Sequence, residues 1–277
     1  MSVTSQSVAL DRAELIEIAG VDAIAFAHAQ FSSDVAGLAA GAWQWSAWLT
    51  AQGRVHGVFA LLRVEGDRLL LWLPLGGARA MRDALARYVL RAKARLDVHD
   101  DWALHAPGNA ALPAPSTIVE CDGGYSIELP GSRVAWLGDS HPTEYDRDAL
   151  NLWRRTDVAA GLPWIAPATR DEFVPQALDL GQLDAIRFDK GCFPGQEIAA
   201  RLHFRGGVKQ RLRRVILRGE GEVVPGVRIE ASGSVAGVVL YGARSGPETF
   251  YSLAVVNDAA PRDAHLASSN GHRIELQ

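Results

Sequence analysis

The stretch DKGCFPGQEIAARLHFRG, residues 189–206, is the most informative part of this chain. A single cysteine, Cys192, follows a glycine, with Lys190 two positions before it and a Pro-Gly turn just after it. The residues from Gln196 onward have the composition of a helix. A nearby cation and a helix N-terminus both favour a thiolate, so the pattern predicts a reactive sulfur. The alternative, from the residue type alone, is a buried and inert cysteine.

Composition places the chain among globular proteins with an ordinary core. Its 277 residues are enough for one large domain or two to three small ones, with 48% hydrophobic and 22% charged residues. The net charge of −4 and the pI of about 6.1 argue against a protein that binds nucleic acid over a whole basic face. The two cysteines, Cys121 and Cys192, lie far apart and form no CxxC motif, so we expect a reducing compartment and no disulfide.

The sequence predicts a cytoplasmic protein without membrane contact. The first residues carry no basic segment followed by an apolar core, as a signal peptide would. The longest stretch without charged residues, 35–53, contains glutamines, a serine, a threonine and several glycines, which makes it too polar for a membrane helix.

Short apolar runs separated by turn residues predict an α+β protein with antiparallel strands rather than a doubly wound sheet. Strands are expected in the hairpin formed by 43–49 and 55–64, and amphipathic helices at 79–95 and 148–161. After residue 206 the runs 208–217, 227–230, 234–241 and 250–256 predict a separate small β-barrel.

The run from Lys190 to Glu197, followed by Arg201 and by Phe204-Arg205-Gly206, resembles the signature of the YgfZ family. Members of that family are folate-binding proteins that assist iron–sulfur enzymes, including a tRNA-modifying one, and are related to the glycine-cleavage T-protein, an aminomethyltransferase. Further similar segments at 30–35, 53–54, 161–163 and 173–176 extend the resemblance over nearly the whole chain.

The resemblance implies a T-protein-like fold, with ferredoxin-like αβ pieces around a central cavity and a C-terminal barrel. It predicts a folate-binding αβ region at 1–206, made of two intertwined sub-domains with 51–115 forming much of the second. The barrel would then occupy 207–277.

The resemblance also implies a site for tetrahydrofolate or a derivative, with Cys192 as the functional thiol and Lys190 favouring its thiolate. The cofactor-binding residues it suggests are Asp34, Arg54, Gly191, Phe193, Gly195, Gln196, Glu197, Arg201 and Arg205. Arg201 and Arg205 would bind the glutamate tail of the folate, since arginine can bind a carboxylate through two hydrogen bonds. The alternatives are a solvated ladder of ion pairs with Glu197, and for Asp34 a turn cap.

The chain departs from the family pattern at three positions. Ala159 stands where an acidic residue is expected, with Asp157 as the nearest substitute. Ala29 replaces an expected glycine, and Asp179 replaces an expected asparagine. These changes concern the pose of the folate and leave the cysteine chemistry intact.

Two functions from different classes remain open at this stage. The first is a factor that supports assembly or repair of iron–sulfur clusters in client proteins, with Cys192 bonding transiently to a cluster, a client or a folate-derived carbon. The second is a tetrahydrofolate-dependent aminomethyltransferase, although the T-protein carries an acidic residue where Cys192 stands. A plain interaction module with an inert thiol is a third alternative.

The remaining motifs predict neither a metal site nor direct contact with nucleic acid. The histidines form no HxxxH or HxH pattern, and one cysteine cannot hold a cluster without a partner. The basic run 209–218 lacks interleaved aromatic residues and is interpreted as a charged strand edge.

Overall fold

The computed structural model describes residues 7–108, 111–231, 233–260, 266–268 and 271–277. Within these ranges, no helix combines the length and the apolar character that crossing a bilayer requires. The elements of these described ranges form a large antiparallel sheet, four α-helices and a closed barrel.

Eight strands form one sheet in the spatial order β2-β3-β4-β1-β5-β8-β7-β6, and every pairing in it is antiparallel. The strands are β1 (Ser7–Ala19), β2 (Ala42–Leu49), β3 (Val55–Glu65), β4 (Arg68–Leu73), β5 (Arg95–Pro107), β6 (Ile118–Cys121), β7 (Gly124–Leu129) and β8 (Arg133–Gly138). The predicted antiparallel strands are therefore present, but they join in one continuous sheet.

The sheet curls until its two edge strands nearly meet. A bridge joins Ala42, at the start of β2, to Thr117, just before β6. Two backbone hydrogen bonds reinforce it, from Trp43 N to Ser116 O and from Ile118 N to Gly41 O, at 2.9 and 2.8 Å. This closure places Ser116 beside the aromatic residues of β2.

The helices are α1 (Ala23–Gln30), α2 (Ala78–Ala86), α3 (Arg147–Ala160) and α4 (Gln196–Arg205), with short 3₁₀ helices at Pro167–Thr169 and Pro175–Leu178. Helix α3 begins where the Asp146 carboxylate accepts the Ala149 amide, and it ends at Gly161, whose φ of 70° is left-handed. Helices α1 and α2 cover one face of the sheet, while α3 contributes Trp153 to the core on the other face.

The predicted helix at 79–95 is wrong beyond Ala86. The segment that follows leaves the helix because it feeds strand β5, whose first residue, Arg95, pairs with Ala19. The Lys93 amide donates to the Asp22 carboxylate at 2.7 Å, which fixes the approach to β5. Tertiary pairing thus overrides the amphipathic pattern in this segment.

The C-terminal strands close into a barrel in the order β10-β11-β12-β9-β14-β13. They are β9 (Gln210–Arg218), β10 (Arg228–Ala231), β11 (Ser234–Gly246), β12 (Thr249–Asn257), β13 (Leu266–Ser268) and β14 (Arg273–Leu276). Its own core includes Leu217, Ile229 and Val239. The α+β class and the small C-terminal barrel are confirmed, whereas the division into domains at residue 206 stays a prediction.

Candidate functional site

The loop that carries Cys192 is fastened to the segment after α1 by the side chain of Lys190. The Lys190 ammonium donates to the carbonyl oxygens of Phe31 and Ser33 in that segment, at 2.6 and 3.0 Å. It also donates to the carbonyl oxygen of His28, in the last turn of α1, at 2.5 Å. All three ammonium protons therefore have acceptors. Burial lowers the pKa of Lys190 from 10.5 to about 8, and the nearby Asp34 carboxylate opposes this shift. Lys190 joins two loops, and its predicted effect on the thiolate stays a prediction.

Cys192 itself is exposed at the surface of this loop. The next residue, Phe193, is 6% exposed and packs into the core between the sheet and the barrel. Its ring centre lies 5.1 Å from the Lys190 ammonium. The loop is thus fixed on both sides of the sulfur while Cys192 is exposed, so the cysteine is not buried; its reactivity stays a prediction.

Gly195 seats the end of the cysteine loop on the turn between β2 and β3. Its φ is +75°, and a Cβ atom there would lie 2.4 Å from Thr50 O and 2.7 Å from Gly53 Cα. Only glycine fits such an approach, so the predicted need for Gly195 has a steric basis. In the same turn, Arg54 is exposed and donates to the Glu172 carbonyl at 2.9 Å.

The segment 31–34, which receives Lys190, is also bonded to the chain just before the cysteine loop. Ser32 Oγ donates to Ala185 O at 2.6 Å, and Arg187 N donates to Ser32 O at 2.8 Å. The Gln44 amide donates to Asp34 O at 3.1 Å. The segments 31–34 and 185–192 therefore form one hydrogen-bonded unit.

A cavity of about 230 Å³, here called the tryptophan cavity, opens against this unit. The residues that line it are Asp34, Trp43, Gln44, Trp45, Ser116, Leu183, Asp184 and Arg187. Trp43 is 6% exposed, and its indole Nε1 is buried without a hydrogen-bond partner among the described residues. The lining of the cavity therefore includes aromatic rings, two carboxylates and the arginine Arg187.

Asp34 is the predicted site residue that lines this cavity. It is half-buried, and its Oδ1 accepts the Gly37 amide at 3.1 Å and lies 3.4 Å from His28 Nδ1. Asp34 therefore caps a turn through its Oδ1 and also lines the cavity, so the two interpretations are compatible.

Tryptophan rings fill the molecule behind the cavity. The Trp45 ring centre lies 4.8 Å from that of Trp43 and 5.2 Å from that of Trp164, and Trp72 lies 6.1 Å beyond Trp164. These rings occupy the space behind the cavity.

Asp157 is not available to replace the acidic residue missing at Ala159. Its carboxylate is 2% exposed and accepts from Arg133 Nη2 at 2.7 Å and from Trp164 Nε1 at 3.2 Å. Burial raises the pKa of Asp157, and Arg133 opposes that shift. Both carboxylate oxygens have structural partners, so the suggested substitution by Asp157 is wrong.

The predicted residues of α4 lie away from the tryptophan cavity. Glu197, Arg201 and Arg205 are exposed, and in the described part of the chain no ion pair joins Glu197 to either arginine. The solvated ladder of ion pairs is therefore not formed. Gln196 is half-buried, its backbone amide donates to Phe193 O, and its side chain does not line this cavity either.

Several cavity residues were missed by the sequence analysis. Trp43 and Trp45 alternate as residues on one face of a strand do, which indicates a core position first and a stacking surface for a ring second. Ser116, Asp184 and Arg187 come from irregular segments without periodicity, so no local signal distinguished them.

Comparison with known proteins gives both sequence relatives and a similar fold. No protein-family model matches the chain. An uncharacterized protein of Haemophilus influenzae is 31% identical, covering 75% of this chain and 72% of the relative. The tRNA-modifying protein YgfZ of Klebsiella pneumoniae is 30% identical, and the match covers 73% of this chain and 69% of that protein. The tRNA-modifying protein YgfZ of Edwardsiella ictaluri is 28% identical, and the match covers 94% of this chain and 87% of that protein.

Among solved structures, the glycine cleavage system aminomethyltransferase T from Bartonella henselae matches with a TM-score of 0.72 and 16% sequence identity. The match covers 98% of this chain and 85% of that protein. This likeness confirms the T-protein-like fold predicted from the sequence.

Proposed function

This chain belongs to the YgfZ family of tRNA-modifying proteins, and from that membership we propose that it binds a reduced folate. In this proposal the protein also supports the assembly or repair of iron–sulfur clusters in client enzymes, such as tRNA-modifying enzymes. The proposal places the protein in the cytoplasm, with clients as partners and no direct contact with nucleic acid. It also takes 1–206 as the folate-binding region and 207–277 as the barrel domain.

One observation carries this proposal: the exposed thiol and the wall of the tryptophan cavity belong to one hydrogen-bonded unit. Lys190 bonds the cysteine loop to residues 28, 31 and 33, and Asp34 of the same segment lines the cavity. Arg187 also lines the cavity and bonds to Ser32 through its backbone amide. A ligand that orders the cavity wall would therefore also order the loop that presents Cys192.

The residues of the tryptophan cavity suit the pterin ring of a folate. The Asp34 carboxylate suits the amino and imino donors of a pterin edge. Trp45 offers a partly exposed ring for stacking. The volume of about 230 Å³ lies below the roughly 300–1,000 Å³ of pockets for drug-sized ligands, so it suits one ring system.

A bound tetrahydrofolate would supply a reduced pterin ring and the nitrogen atoms that carry one-carbon units. The chain's own contribution is to hold that ring against Trp45, pair its polar edge and keep the cysteine loop in place through Lys190. Gly191 and Gly195 would let this loop lie close to its neighbours, and Gln196 would set the start of α4 behind it.

Cys192 would act at the protein surface, as a ligand to an iron–sulfur cluster that belongs to the client protein. Iron–sulfur clusters are usually held by four protein ligands, and in the described part of the chain no group of three or more metal-ligating side chains exists. One exposed thiolate can contribute a single ligand, so the client must supply the others.

A second candidate function is a tetrahydrofolate-dependent aminomethyl transferase. The T-protein-like fold and the position of Asp34 in the cavity favour it. The two functions differ in what Cys192 does, because a transferase that works in the cavity has no need of an exposed thiol outside it.

The proposal is tested by binding, turnover and complementation. Tetrahydrofolate is titrated by calorimetry into the wild type, into Trp45→Leu and into Phe204→Leu, which changes an exposed aromatic residue of α4 outside the cavity. We expect weaker binding to Trp45→Leu alone, and no turnover with aminomethyl donors.

In cells that lack the wild-type protein, Cys192→Ala should lower the activity of iron–sulfur enzymes, whereas Cys121→Ala should not. Turnover that survives Cys192→Ala would favour the transferase. The absence of any folate binding would contradict both functions.

A further inference from the structure

A second cavity of about 290 Å³ lies where the end of α3 and the turn at 179–183 meet the barrel strands β9 and β12. It is here called the arginine cavity, because Arg213 and Arg214 of β9 line it. Asp179 and Gln182 supply further polar groups from the turn, and Gln277 also lines the cavity.

The charges in this cavity favour an anion. The Arg213 guanidinium is half-buried and makes no hydrogen bond or ion pair with any described residue, while Arg214 is oriented by a hydrogen bond from its Nε to Val158 O at 3.3 Å. Asp179 is the one acidic side chain in the lining. Burial raises the pKa of Asp179, with Arg211 and Arg213 opposing the shift. Two arginine side chains and one aspartate side chain therefore line the cavity, and arginine is well suited to bind carboxylates.

The arginine cavity and the tryptophan cavity meet at one residue, Leu183, which lines both. A ligand with an aromatic ring and an anionic end that spans both cavities would place the ring and the anion on different sides of Leu183. The arginines of α4, which the family resemblance suggested for a glutamate tail, are exposed and line neither cavity.

We propose that the arginine cavity binds the carboxylate-bearing tail of the ligand whose ring occupies the tryptophan cavity, with Arg213 and Arg214 as the carboxylate contacts. This inference rests on the proposed folate binding and assigns the tail to β9 instead of α4. It also gives Asp179 a role: its negative charge lies within electrostatic reach of Arg213 and weakens the binding of anions.

The test separates the ring from the tail by using three probes: tetrahydrofolate, tetrahydropterin, which lacks the tail, and para-aminobenzoylglutamate, which lacks the pterin. Each is titrated by calorimetry into the wild type, Arg213→Gln, Arg214→Gln and the matched control Arg218→Gln. Arg218 lies at the other end of β9 and pairs with Glu275.

We expect Arg213→Gln to weaken tetrahydrofolate and para-aminobenzoylglutamate by roughly tenfold, as the loss of a hydrogen bond to a charged group does, and to leave tetrahydropterin unchanged. Arg214→Gln should act in the same direction, and Arg218→Gln should change none of the three. Equal effects of Arg213→Gln on all three probes, or no effect on any, would overturn the inference.

A variant that should bind the tail-bearing probes more tightly guards against misfolding as the explanation of weaker binding. Asp179→Asn removes the carboxylate at a position whose φ of 53° asparagine tolerates, so it should tighten the two tail-bearing probes and not tetrahydropterin. Unchanged or weaker binding of the tail-bearing probes would contradict the inference. If tetrahydropterin does not bind the wild type, the proposed folate site fails, while binding of para-aminobenzoylglutamate that depends on Arg213 still supports the anion site.

Discussion

Replacing Lys190 by methionine should disconnect the cysteine loop from the wall of the tryptophan cavity. The change keeps the length of the side chain but removes three hydrogen bonds, to the carbonyls of His28, Phe31 and Ser33. Hydrogen bonds to charged groups contribute about 1.5–3 kcal/mol each, and losing the ammonium also removes its burial cost. We therefore expect a net loss of roughly 2–4 kcal/mol, or about 5–12 °C in Tm for a protein of this size.

The pH dependence gives this prediction a second readout. Burial places the pKa of Lys190 at about 8 in the folded protein, below its ordinary value of 10.5. Between these two values the unfolded chain binds more protons than the folded one, so the wild type gains stability as the pH rises. Lys190→Met lacks this titration, and the difference in Tm between the two proteins should widen from pH 8 to pH 10.

The assay is thermal denaturation followed by circular dichroism, with tetrahydrofolate titration of the same samples. Lys209→Met serves as the matched control, because Lys209 is an exposed lysine. A Lys190→Met protein that melts and binds tetrahydrofolate like Lys209→Met would refute this prediction. So would a difference in Tm between the wild type and Lys190→Met that narrows as the pH rises.

Three further predictions concern single residues around the site. Gly195→Ala should cost more than about 2 kcal/mol in urea unfolding, because its Cβ would lie 2.4 Å from Thr50 O at a positive φ; a neutral result would mean that the turn relaxes. Asp157→Ala should cost about 3–5 kcal/mol in the same assay, because it leaves Arg133 without its buried partner, and a loss below about 1 kcal/mol would contradict this. Trp43→Phe should keep the free energy of unfolding within about 1 kcal/mol, because the indole N–H that it deletes is buried without a partner; a loss above about 3 kcal/mol would contradict this.

Local patterns were enough to predict much of the fold. The β2–β3 hairpin, helix α3 and the strands of the barrel follow alternation, helical spacing and turn residues that lie within a few positions of each other. The helix at 79–95 failed because the pairing of Arg95 with Ala19 is a long-range contact that the amphipathic pattern does not encode.

The candidate site was predictable only in part, for a related reason. The cysteine loop is one continuous segment, and its exposed thiol and glycine-dependent turn follow from it. The cavity wall comes from segments around 34, 44, 116 and 184, which only the curled sheet and the 185–192 segment bring together. The acceptors of Lys190 are backbone carbonyls, which no choice of side chain reveals in a sequence.

The most direct test of coupling between the cavity and the thiol is the alkylation rate of Cys192 at increasing tetrahydrofolate concentration. Half-buried Cys121 serves as the internal reference in the same sample. We predict that the Cys192 rate falls and saturates at the concentration that half-fills the binding site, and that Lys190→Met abolishes this response. A Cys192 rate that stays constant while tetrahydrofolate binding saturates would contradict the account.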